Sequence, residues 1–405
     1  MRDRRGGDRA VARVRGAVNR SSERLVAIDW LRGLVMMIMA VDHASVIFNA
    51  GRTAIDSPYP IEAFFEPAWV PGSPLPALQF FTRWITHLCA PTFLFLSGTS
   101  LAFSTASRVA RGVAPSAIDR HLIARGLVLI ALDAGWIAVL PSLAIGHYVL
   151  AVQVLFAIGA SLCAMALLRR LPARGLVALA LAWLVFGEAI TLAVAPAGAS
   201  ARGAAALLLA PGTLGPAGIA YPVLGWLAMM MLGWAFGAHL LALRREGRPA
   251  SAAAPRCALA GIAALALFAL IRGANGYGNM ALYRDDGSLI QWLHVAKYPA
   301  SLAFSALELG LMALLLAALL VLQARLSGPP RARNPFLVFG KTALFFYLLH
   351  FLVLGLGATA LDLAGRGGLE HTYVAAAAAV AVLYPACLWY GRYKAAHPGG
   401  FTQYI

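Results

Sequence analysis

Apolar residues run through this chain in blocks about 20 residues long, separated by shorter polar connections, and that spacing predicts helices that cross a bilayer. A helix rising about 1.5 Å per residue needs roughly 20 residues to traverse about 30 Å of hydrocarbon. The predicted spans are 25–49, 78–105, 121–141, 147–168, 175–197, 216–243, 256–273, 297–322, 336–360 and 372–391. The expected fold is an all-α polytopic transmembrane helix bundle of about ten spans. It occupies residues 24–397, between a basic tail at 1–23 and a short tail at 398–405. Asn334 and Pro335 have the form of a helix start, with Lys341 as a basic flank. No internal repeat and no soluble domain stands out.

Composition strengthens this picture. Hydrophobic residues make up 60% of the 405 and charged residues only 12%, with mean hydropathy +0.74, whereas a soluble domain carries about 25% charged residues. The net charge of +16 argues for topology and against nucleic acid as partner, because the basic residues sit at the ends of apolar blocks. Placing both termini in the cytoplasm puts most of the 33 Lys and Arg inside, with only Arg52, Arg202, Arg272, Arg284, Lys297 and Arg366 outside. Cys89, Cys163, Cys257 and Cys387 stand singly with no metal-ligand spacing, so no metal is expected. The first apolar block carries Asp29, Arg32, Asp42 and His43, which a cleavable leader would not tolerate.

Those polar residues are the candidate chemistry, since a charge inside a span costs at least about 2.5 kcal/mol and normally faces a cavity or a partner. Arg32 and His43 are separated by three helical turns, which returns them to nearly one face and sets them roughly 16 Å apart along the axis. Asp29 lies one turn from Arg32, and Gly33 allows a helix or ligand to approach the backbone closely. The stripe suits a long ligand, and Asp42 is placed to orient the His43 ring. Arg83 and His87 share a face of the second span and are expected at the depth of His43, so that all three line one pocket. Asp133, Gln153, Glu188, His239, Glu308 and His350 are further buried polar positions, expected to be structural. The connections 50–77, with Asp56, Glu62 and Glu66, and 272–296, with Asn279, Asp285 and His294, are long enough to carry function.

Six segments in order, IDWLRGLVMMIMAVDH, RWITHLCAPTFLFLSGTS, YPVLGWLAMMMLGWAFG, KYPASLAFSALELG, VFGKTALFFYLLHF and YPACLWYGRYKAAHP, resemble the heparan-α-glucosaminide N-acetyltransferase-like family of bacterial membrane proteins. The spacing from Arg32 to His43 also resembles the signature of the acyltransferase-3 O-acetylases. The resemblance covers most of residues 24–397. It implies transfer of an acyl group, usually acetyl, from cytosolic acyl-CoA to a sugar or similar hydroxyl or amine acceptor across a bacterial-type cytoplasmic membrane, with a homodimer as one assembly. The animal enzyme has its proposed catalytic histidine in the loop after the first span. Residues 50–77 contain none, and His43 takes that place here.

On this reading Arg32, with Asp29 and Gly33, binds the acyl-CoA, and His43 is general base or nucleophile positioned by Asp42. Arg83 and His87 polarise the thioester or hold the acceptor. Two other classes fit the same composition: a transporter or exporter of a small solute, and a non-catalytic acyl-CoA-binding membrane protein.

Overall fold

Helices form where the apolar blocks predict them. The computed structural model describes residues 25–53, 56–61, 67–138, 150–328 and 330–397; the tails at 1–23 and 398–405 and the loop acids Glu62 and Glu66 lie outside the described residues. In chain order the main helices are α1 (Val26–Phe48), α2 (Ala77–Ala110), α3 (Pro115–Leu132), α4 (Val154–Leu168), α5 (Ala173–Val194), α6 (Val223–Arg245), α7 (Ala254–Ala274) and α8 (Leu302–Ala324). They are followed by α9 (Pro335–Lys341), α10 (Ala343–Ala360) and α11 (Leu369–Ala396). Eight of these helical segments are long and apolar enough to cross a membrane. The predicted spans at 121–141 and 147–168 overlap α3 and the shorter α4, which are not among these eight, and residues 139–149 lie outside the described residues. The protein is an all-α polytopic bundle, and α5, α7 and α11 turn leucines, valines and aromatics such as Phe186, Leu270 and Trp389 outward, as a hydrocarbon solvent requires.

Glycines set how closely the helices approach. A Cβ on Gly98 of α2 would collide with the Met230 carbonyl of α6, and one on Gly233 of α6 with the Phe95 carbonyl of α2. The α1–α9 pair repeats the arrangement, with Gly33 against the Phe336 carbonyl and Gly340 against the Asp29 carbonyl. Small residues let backbones pack where lipid supplies no hydrophobic drive.

The predicted span 336–360 is interrupted. Asn334 caps α9, accepting from the Leu337 N–H at 3.3 Å with Pro335 in the first turn, but the helix stops at Lys341 and resumes at Ala343. The span predicted from 216 also begins late, because residues 217–219 form a strand. Four short strands, β1 (Ala151–Val152), β2 (Ala201–Arg202), β3 (Gly212–Leu214) and β4 (Ala217–Ile219), make a sheet in the order β1-β4-β3-β2. β1 pairs parallel with β4, β2 parallel with β3, and β3 antiparallel with β4. Apolar content alone does not separate such strands from helix, and their backbone groups are satisfied by one another. The π turn Asp133–Ile137 follows α3 and aims the Asp133 carboxylate at the start of α4, accepting from Gln153 N at 2.6 Å and Phe156 N at 2.8 Å. Asp133 is thus a helix cap contributed from a neighbouring element.

Candidate active site

Two cavities abut in the middle of the bundle. The larger, about 240 Å³, is lined by the cations Arg32, Arg125, Lys341 and Lys394 and by apolar residues that include Leu129, Val154, Leu155, Ile158 and Leu162. No carboxylate lines it among the described residues. The smaller, about 30 Å³, holds Asp42, His43, Gln153, Tyr221 and Lys297. Phe93, Val154 and Tyr347 line both, so these three side chains stand between the Arg32 cavity and the His43 cavity. The break after Lys341 and the strand before Val154 bring non-helical backbone to the same place, which a membrane fold tolerates where the chain borders a cavity.

Arg32 is held from three sides. Its Nη1 donates to the Gly340 carbonyl at 3.2 Å and lies 3.4 Å from Asp29 Oδ1, while Nη2 donates to Ser100 Oγ at 2.8 Å. Asp29 is buried against Arg32 and does not reach the cavity. The face of Gly33 is filled by the Phe336 carbonyl, so the close approach expected there is made by α9 and not by a ligand. Asp29 thus meets Arg32 and Gly33 meets α9, and neither lines the cavity in which a donor was expected to touch them.

His43 receives its orientation from an unexpected neighbour. Asp42 is engaged by Arg52, with Arg52 Nη2 donating to Oδ1 at 2.9 Å. The His43 ring stacks on Phe351, centroids 4.2 Å apart, and its Nδ1 lies 2.5 Å from His350 Nε2. His350 Nδ1 faces the Tyr347 carbonyl at 2.6 Å and the Phe346 carbonyl at 3.2 Å. Carbonyl oxygens only accept, so His350 carries its proton on Nδ1 and, when neutral, offers a lone pair on Nε2. His43 must then donate from Nδ1, which leaves its own Nε2 as the basic atom, on a ring that lines the cavity. Asp42, expected to hold the imidazole, is hydrogen-bonded to Arg52 and acts on the adjacent His43 only through its charge, while His350, expected to be structural, sets the tautomer.

Arg83 and His87 do share a face, but that face meets a loop carboxylate. Arg83 Nε donates to Asp56 Oδ2 at 2.6 Å, His87 Nε2 donates to the same oxygen at 2.9 Å, and His294 Nε2 lies 3.3 Å from Oδ1. Burial would raise the Asp56 carboxyl, but the Arg83 guanidinium beside it, then His87 and His294, hold it well below the usual carboxylate range. Neither Arg83 nor His87 lines the His43 cavity, so the expected common pocket does not form. The 3₁₀ turn Ile85–Leu88 presents Thr86 to that cavity instead.

Lys297 takes the position that those two residues were expected to fill. The loop delivering it is built around Arg272, whose guanidinium, 0% exposed, donates to Asn279 Oδ1 and to the carbonyls of Leu282, Gln291 and Trp292. Lys297 N then donates to the Asp56 carbonyl at 2.9 Å, and Ser57 Oγ donates to the Tyr298 carbonyl at 2.5 Å. Sequence reasoning assigned Lys297 to topology and His350 to structure. The available signal was their place within two of the six segments that carry the resemblance.

Among the described residues no group of three or more His, Cys, Asp or Glu is arranged to hold a metal. No curated protein matches the chain. The model of the heparan-alpha-glucosaminide N-acetyltransferase catalytic family matches residues 64–271. The matched stretch includes Arg83, His87, Arg125 and Tyr221; Arg32, His43, Lys297 and His350 lie outside it. With half of the sequence covered and a polytopic helical bundle around the site, the chain belongs to the heparan-alpha-glucosaminide N-acetyltransferase catalytic family, a family of membrane transferases.

Proposed function

We propose that this protein transfers an acetyl group from acetyl-CoA, entering at the Arg32 end, to an amine or hydroxyl of a sugar held at the His43 end. The observation that carries the reading is the pair of abutting cavities, cationic at one end and furnished with an oriented imidazole at the other. Arg32, Arg125, Lys341 and Lys394, with no acid among the lining residues, suit the phosphates of a CoA. The leucine- and isoleucine-lined part suits its thin pantetheine arm. Movement of Phe93 or Tyr347 would let the thioester reach His43, whose Nε2 serves as general base toward the acceptor. The excess of basic residues on one side supports a cytoplasmic Arg32 end, and on this reading the acyl group passes from the cytoplasmic side to an acceptor on the far side.

The test uses the full chain in vesicles with labelled acetyl-CoA and glucosamine as acceptor probe. Label should pass to glucosamine, and His43→Ala should lower the rate about 10²- to 10⁴-fold, while acetyl-CoA still raises the melting temperature of the variant. Full transfer by His43→Ala would remove the imidazole from the mechanism. Solute movement with no stabilisation by acetyl-CoA would favour a transporter, and stabilisation without turnover a non-catalytic binding protein.

A further inference from the structure

Lys297 is 4% exposed, and its ammonium enters no ion pair or hydrogen bond among the described residues; only the Tyr298 ring, 5.1 Å from Nζ to centroid, lies beneath it. The other cations near this end are engaged, Arg52 by Asp42 and Arg83 by Asp56. Asp42, already paired with Arg52, and Glu308 lie near enough to feel the Lys297 charge, but neither pairs with it directly. A buried ammonium held without a direct partner is costly, and folds retain one where an anion arrives during function. Lys297 and His43 line the same small cavity, so an atom within it can meet both groups.

We infer that Lys297 is a catalytic residue that takes the negative charge developing on the thioester carbonyl oxygen while His43 handles the proton. This deepens the acyl-transfer reading and rests on it. His43 Nε2 accepts the proton of the acceptor amine or hydroxyl as the acceptor atom bonds to the carbonyl carbon. The carbonyl π pair moves onto oxygen, where Lys297 Nζ–H donates to it. Collapse restores the carbonyl and breaks the C–S bond, and the departing sulfur takes the proton from the His43 imidazolium. The products are CoA thiol and acetylated acceptor, with both side chains returned to their starting states. The loop carries the residue because the Asp56 backbone and the Arg272 scaffold fix Lys297 over the cavity.

The experiment compares wild type, Lys297→Met, Lys297→Ala and Lys297→Arg in the vesicle assay, with thermal stabilisation by CoA as a separate measure of donor binding. The expected result is a fall in turnover of about 10²- to 10³-fold in Lys297→Met at saturating acetyl-CoA, with unchanged stabilisation by CoA. Methylammonium should restore part of the turnover of Lys297→Ala and none of that of His43→Ala, and Lys297→Arg should retain more activity than Lys297→Met. Turnover of Lys297→Met within threefold of wild type would overturn the assignment. So would a loss that appears only as weaker acceptor binding, or a drop in the melting temperature of Lys297→Arg and Lys297→Ala without amine rescue. A wild-type protein that neither binds nor turns over acetyl-CoA would sink the acyl-transfer reading itself, a result distinct from an active enzyme indifferent to Lys297.

Discussion

Asp56 and Asp42 occupy matching settings, each a carboxylate held by an arginine beside a histidine, yet one cluster is closed and the other open. Around Asp56 the partners converge: Arg83, His87 and His294 meet the two oxygens of one buried carboxylate, and none of them lines either of the two cavities. Around Asp42 they diverge. Arg52 takes the carboxylate, His350 takes Nδ1 of His43, and His43 and Lys297 are left lining a space. Residue type therefore does not mark a site in a membrane bundle. Polar groups beside a cavity do: the Nδ1 atoms of His87 and His294 also lack a hydrogen-bond partner among the described residues, but neither histidine lines either cavity, whereas His43 and Lys297 do.

The comparison can be broken most severely at Asp56. Its removal leaves a guanidinium and two imidazoles buried without their common partner, a loss of about 3–5 kcal/mol in Asp56→Ala that chemical unfolding would register. The pH dependence has a definite sign. A carboxyl held below its unfolded value near 3.9 stabilises the fold above that pH and ceases to as pH falls through its folded value, so the gap between wild type and Asp56→Ala should narrow only in strong acid. A gap that stays constant as pH falls well below 3.9 would mean that the charge of Asp56 is not what matters.

His350→Gln probes the open cluster with a smaller effect. The bond it accepts from His43 Nδ1 strengthens when the imidazole becomes charged, so a loss of about 10- to 100-fold in turnover is expected, equivalent to roughly 1.5–3 kcal/mol. The melting temperature should move far less than in Asp56→Ala. Equal losses of stability in the two variants would erase the distinction between closed and open clusters. The smallest effect is expected at the other cavity, where Arg32→Ala should weaken acetyl-CoA binding by about tenfold, or roughly 1.4 kcal/mol. Arg125, Lys341 and Lys394 remain to share the anion, and turnover at saturating donor should be nearly unchanged. Unaltered donor affinity would exclude Arg32 from the donor site.

Sequence periodicity determined the bundle, the helical blocks, the Asn334 cap and the common face of Arg83 and His87, because each depends on residues within a few turns of one another. It also marked α1 as the helix with costly polar groups, since the penalty for a charge in hydrocarbon is paid wherever the neighbours are. Which neighbour each group meets belonged to the tertiary structure. His43 finds His350, 307 positions along the chain, only because α10 resumes after the break at Thr342. Asp56 and Lys297 reach their places through loops whose conformation is set by contacts with each other and with Arg272. A helical repeat tells which side of a helix faces protein; the close approach of backbones at glycines such as Gly33 and Gly340 decides what stands opposite, and so which polar cluster closes and which remains open to a substrate.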